Sequence, residues 1–130
     1  MLIQVDSIQS NNSDIVVLFS SDFGCAKANW KGKEPSLNKK YFVEIDIDHI
    51  FVWGEDVSLE KDCMPSIHQE YEQISITGYI DSVDEDGYVV LRLGDSILPF
   101  LFQGESLKIG TCVRLLTDSL SLYPVDYLQC

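Results

Sequence analysis

Apolar and polar residues alternate with a period of two over short stretches along most of the chain, and this pattern predicts strands. LIQVDSI (2–8) and IVVLFS (15–20) flank the turn-forming cluster Asn11, Asn12, Ser13 and Asp14, which reads as an N-terminal hairpin. YFVEIDIDHIFVW (41–53) is the clearest strand, with Val43, Ile45 and Ile47 on one face and Glu44, Asp46 and Asp48 on the other. The alternation slips at His49–Ile50, where a bulge would put Ile50 and Val52 on the apolar parity. From Ile74 the pattern becomes regular. ISITGYIDSV, the turn Asp84–Gly87, YVVLRL, the turn Gly94–Asp95, SILPFLF, TCVRLLT (111–117) and LSLYPV (120–125) predict five strands.

Two stretches break this rhythm. Residues 21–40, with Gly24, Gly32 and Pro35, read as a long irregular loop, with a short helix over 23–30 as the alternative. Residues 58–73 are polar and interrupted by Pro65, and Ile67 and Tyr71 have the i, i+4 spacing of one short helix. Trp30-Lys31-Gly32 and Trp53-Gly54 echo each other, but nothing aligns around them and no repeat is read.

The whole is expected to be one mostly-β domain over 1–130, a small antiparallel barrel or a β-sandwich with an N-terminal hairpin and at most one or two short helices. The hairpin, a lysine-rich loop and an acidic strand fill 1–53, and a barrel-like meander fills 74–125. Its expected core includes Val5, Ile15, Val17, Phe19, Val43, Ile45, Ile47, Ile76, Val90, Leu91, Leu93, Phe100, Val113 and Leu115. Over 74–125 the chain resembles an OB-like barrel in strand order and in the lead-in Gly110-Thr111-Cys112-Val113 to its fourth strand.

Charge narrows the function classes. The 130 residues hold 21 acids against 9 lysines and arginines, a formal net charge of −12. That sign disfavours nucleic acid and anionic membrane and favours a basic partner or a cation. The charge is localised: the segment from Glu44 to Asp86 contains thirteen acids and, as its single base, Lys61. It therefore carries the entire net charge. Five of the nine bases, Lys27, Lys31, Lys33, Lys39 and Lys40, fall in the 21–40 loop, where the simplest expectation pairs them with the acidic strand that follows.

Catalytic and metal chemistry leave no signature. No G-x-S-x-G, phosphate-binding glycine loop or dinucleotide fingerprint occurs. The row Glu44, Asp46, Asp48 has the spacing of paired glycosidase carboxylates but no apolar pocket to raise one pKa. Asp84-Glu85-Asp86-Gly87 lacks the order of a calcium loop, and Cys63, His68 and His49 form no closed zinc set. No cofactor is implied. The cysteines Cys25, Cys63, Cys112 and Cys130 form no C-x-x-C pair. The N-terminus does not read as a signal peptide, and no apolar run reaches membrane-span length. The expected setting is the cytoplasm, with the thiols reduced.

Size, acidity and the lack of catalytic residues resemble the small acidic bacterial immunity proteins that neutralise basic nuclease toxins. That resemblance implies a non-catalytic inhibitor. Its acids Glu44, Asp46, Asp48, Glu55, Asp56, Asp81, Asp84, Glu85 and Asp86 would face the toxin's basic active site, with Trp53 and Tyr79 as aromatic anchors. The alternatives are an OB-like ligand-binding or adaptor module and a structural subunit.

Overall fold

Strand β1 (Leu2–Asn11) turns back into β2 (Asp14–Ser21) through two residues, with Asn12 in the left-handed region that asparagine tolerates. A register shift between Val5 and Ser7 lets Ile3 and Val5 face the core and Ile8 pack against it despite the change in sequence parity. The computed structural model describes residues 1–105 and 107–125. Among them there are twelve strands and no helix, so none is long and apolar enough to cross a membrane.

Both stretches that break the alternation contain strands, while residues 31–39 and 60–65 are irregular. β3 (Gly24–Trp30) pairs with β2, and Ala26, Ala28 and Trp30 are buried while Cys25 and Lys27 face out. Alanine favours helix locally, and the paired edge of β2 overrides that preference. In 58–73, where at most one short helix is expected, the chain instead forms β6 (Val57–Leu59) and β7 (Ser66–Glu70). Ile67 is buried, whereas Tyr71 is fully exposed at positive φ in the turn after β7, so the two do not share a helical face.

The acidic stretch divides in two. β4 (Lys40–Asp46) keeps Val43 and Ile45 inside and Glu44 and Asp46 outside. The chain then leaves that sheet, and β5 (Ile50–Val52) joins another one. The expected parity slip is absent. Phe51 continues the buried series of Ile45 and Ile47, while Ile50 faces solvent. The remaining strands are β8 (Gln73–Val83), β9 (Tyr88–Leu93), β10 (Ser96–Gln103), β11 (Cys112–Thr117) and β12 (Ser121–Pro124).

Two sheets result. The first is a closed barrel in the order β1-β2-β3-β12-β4 and back to β1, with β12 parallel to β3. The second runs β5-β10-β9-β8-β11-β6, with β5 parallel to β10 and β7 added alongside β8. A bridge between Trp53 and Val57 nearly closes it.

The registers superpose the two sheets. Val5, Phe19 and Ala26 lie side by side in the first sheet, as Ile80, Leu91 and Leu98 do in the second. Phe19 and Leu91 are 72 positions apart, as are Ala26 and Leu98. Both first strands carry a register shift at the same place, after Val5 and after Ile80. The fifth strands are exchanged. β5 follows the first four-strand unit but pairs in the second, placing Phe51 beside Phe102. β12 follows the second unit but pairs in the first, placing Leu122 beside Trp30. The protein is thus an internal repeat with reciprocal strand exchange, although no repeat is legible in its sequence. The stretch 74–125 does not close a barrel by itself, because its last strand completes the other one.

Twelve of the fourteen expected core residues are buried; Ile15 and Val90 are half-buried. The pleat of β9 turns Val89, Leu91 and Leu93 inward and Val90 outward. Cys63 and Cys112 form a disulfide that joins the β6–β7 connection to β11. This overturns the expectation of reduced thiols. Cys25 is exposed and unpaired, and Cys130 lies outside the described residues. The lysines do not pair with the acidic strand either. Among the described residues every ion pair uses Arg92, Arg114 or a histidine.

Candidate interaction face

The outward positions of β10 are Ile97, Pro99 and Leu101, because Leu98 and Phe100 point into the core. The pairing registers set Arg92, Val90 and Tyr88 of β9 beside them in that order, and Ile50 of β5 beside Leu101. Tyr79 of β8 lies next to Arg92. The result is a strip of apolar side chains on a solvent-facing sheet, with Ile97 56% exposed, Tyr88 51%, Ile50 47% and Tyr79 43%. A proline inside a strand needs an uncovered edge, and β5 covers β10 only from Leu101 to Gln103.

Acids stand at both ends of the strip. Glu44 and Asp46 of β4 come against Ile97 and Pro99, and together with Tyr123 of β12 they line a cavity of about 480 Å³ between the two sheets. At the other end, about 20 Å along β10 at the strand repeat, the β8–β9 hairpin and the β5–β6 turn meet the strand. The amide of Phe102 donates to the carbonyl of Gly87, and the amide of Trp53 donates to that of Gln103. This brings Asp84, Glu85, Asp86 and Glu55 to the same end.

The residues singled out from sequence therefore fare differently. Glu44 and Asp46 border the strip, and Asp48 is exposed in the crossover just before Ile50. Tyr79 lies exposed on the same face. Asp81 accepts a hydrogen bond from Arg92 Nε at 2.9 Å, and this bond holds its carboxyl below the usual aspartate range. Its charge is thereby matched within the protein. Asp84 caps its own turn by accepting the amide of Asp86 at 3.0 Å, which leaves Glu85 and Asp86 to face solvent.

Trp53 and Asp56 are less exposed. Trp53 is half-buried, with its Cβ packed close to Gly104. Asp56 Oδ2 accepts the amide of Val52 at 3.1 Å and lies 3.2 Å from His49 Nε2. That histidine nitrogen is buried and lacks the alignment of a hydrogen bond, so the contact is one of proximity alone. Asp56 thus closes the β5–β6 turn.

Sequence reasoning missed Ile97, Pro99, Leu101, Ile50, Tyr88 and Tyr123. SILPFLF reads as a continuous apolar run, and such a run gives no sign that alternate members face water. Pro99 is the one available signal, since proline marks an edge. The internal repeat supplies a comparison within the molecule. The positions 72 residues before Ile97, Pro99 and Leu101 are Cys25, Lys27 and Asn29 on β3. The outward row of β3 is thus Cys25, Lys27 and Asn29, although Val16 and Leu18 of β2 beside it stay apolar as Tyr88 and Val90 do, so an apolar outward row on the third strand is not a requirement of the architecture.

Among the described residues no three of His, Cys, Asp and Glu come together to hold a metal ion. No family model, curated protein or solved structure matches this chain.

Proposed function

We propose that this protein is a non-catalytic binding protein of the immunity or inhibitor type, docking a basic protein such as a nuclease toxin on the acid-ended apolar strip of β9, β10 and β5. The single observation that carries the reading is the contrast between the two units. Ile97, Pro99 and Leu101 stand on the outward row of β10, flanked by carboxylates, where the equivalent row on β3 of the other unit is Cys25, Lys27 and Asn29. An exposed, contiguous apolar surface with a charged rim is the usual composition of a binding site. The apolar strip would supply affinity, and the carboxylates at its ends would speed association and select a basic partner.

The test is capture by the tagged protein, with association kinetics measured on what is recovered. A basic protein bound one-to-one is expected, with its association rate falling as salt is raised. Ile97→Asp is expected to weaken binding by at least about tenfold, because it replaces an exposed apolar side chain of the strip by a charge, while leaving the fold intact at this exposed position. Reversing Glu44 and Asp46 to lysine is expected to slow association and flatten its salt dependence, with a smaller effect on dissociation. A captured protein that binds Ile97→Asp as tightly as the parent would place the contact elsewhere. A self-associated dimer that Ile97→Asp dissolves would make the strip a subunit interface.

The second reading, an OB-like ligand-binding or adaptor module, has one observation in its favour. The exposed strip lies on the second and third strands of its unit, the face that OB-like barrels use for ligands. Saturable binding of single-stranded DNA at physiological salt would favour it over the inhibitor.

A further inference from the structure

A second site stands apart from the apolar strip, beneath the connection from β3 to β4. Trp30 is buried at the end of β3, and its indole N–H donates to the carbonyl of Lys33 at 2.8 Å. Tyr41 at the start of β4 meets Trp30 edge to face with ring centroids 5.1 Å apart. Its hydroxyl accepts the amide of Ser36 at 2.7 Å. The two rings thus fasten the connecting loop at two points and form the apolar corner of a cavity of about 540 Å³. That volume is within the range of small-molecule sites.

Lys33, Lys39 and Lys40 line this cavity, with Glu34 as the acid among its lining residues. None of the three lysines has a carboxylate within ion-pair distance among the described residues. Lys39 instead places its ammonium 5.3 Å from the centre of the Tyr41 ring. In a chain with 21 acids and a net charge of −12, a cavity lined by three lysines and a single acid is a local reversal of the charge pattern. Ammonium groups beside aromatic walls match a ligand with an anionic end and a flat apolar body.

The size of that ligand follows from the rest of the surface. An extended polyanion or an anionic membrane would meet the acidic segment as well as the lysines and be repelled. A compact anion feels chiefly the charges within a Debye length, about 8 Å at physiological salt. We propose that this cavity binds a small aromatic phosphate monoester, with the phosphate held by Lys33, Lys39 and Lys40 and the ring against Trp30 and Tyr41.

The indole N–H resonances of the full chain test this directly, using phenyl phosphate as the minimal probe at constant ionic strength. The Trp30 indole signal is expected to move saturably, with a dissociation constant on the order of millimolar for so small a fragment, while the Trp53 signal stays in place. Inorganic phosphate and phenol are each expected to bind at least about tenfold more weakly, because each retains half of the contacts. The double variant Lys33→Gln, Lys39→Gln alters exposed side chains and is expected to weaken phenyl phosphate by at least about tenfold. No saturable movement at Trp30, binding undiminished in the double variant, or inorganic phosphate binding as tightly as phenyl phosphate would each overturn the assignment.

Discussion

Replacing Phe51 by alanine is expected to lower the free energy of unfolding by about 4 kcal/mol, the usual cost of emptying a fully buried phenylalanine site. Phe51 is 0% exposed and meets Phe100 edge to face at 5.3 Å and His49 at 4.7 Å. It is the centre of β5, a three-residue strand that carries the exchange from the first unit into the second. A strand this short has no second buried side chain to hold it, since Ile50 faces solvent and Val52 is only half-buried. Ile50→Ala, one residue away on the same strand, is therefore the matched comparison, with an expected cost below about 1 kcal/mol. Denaturant midpoints of the two variants decide the matter. Equal shifts would mean that β5 does not anchor the second sheet. Amide exchange adds a directional expectation, with protection lost first along β10 and retained along β2.

Opening the disulfide is expected to have an effect of similar size. Cys63 and Cys112 are 49 positions apart, and cross-linking a loop of that length removes about 4 kcal/mol of chain entropy from the unfolded state. For a chain of this length the paired substitution Cys63→Ser, Cys112→Ser should lower the melting temperature by on the order of 10–20 °C. The stretch between the two cysteines contains β7, β8, β9 and β10, most of the second sheet. Thermal melts of the variant and of the parent with and without reductant measure the effect. A parent whose melt is insensitive to reductant and equal to that of the variant would show that the link does not constrain the chain.

Proximity, not spacing, makes that pair. The Cα atoms of Cys63 and Cys112 come within 5.8 Å because β6 pairs with β11. Nothing in the distance between two lone cysteines announces it. The lysines show the reverse failure. The loop and the acidic strand are consecutive in sequence, which suggests pairing, yet Glu44 and Asp46 face the second sheet while Lys33, Lys39 and Lys40 turn to the aromatic cavity. Neighbours in sequence end on different sides once β4 takes its place between β1 and β12.

Local chemistry determined what local chemistry controls. The alternation of Val43, Glu44, Ile45 and Asp46 fixed which side chains of β4 face water, because the pleat has a period of two whatever the partner strand. The Asn12–Ser13 and Asp84–Gly87 turns were legible because few residues accept their backbone conformations, and the net charge of the 44–86 segment is a property of composition alone. Tertiary structure decided the rest. Alanines became a strand at β3 because an unfilled edge of β2 outweighs a propensity of less than about 1 kcal/mol per residue. The repeat became visible only in the pairing registers, since a barrel core accepts any apolar residue of suitable size and so lets paired positions such as Ala26 and Leu98 diverge. The exchange of β5 and β12 and the exposure of Ile97, Pro99 and Leu101 are long-range choices of partner. An apolar residue in a sequence is the same whether its strand turns it to the core or to a second protein.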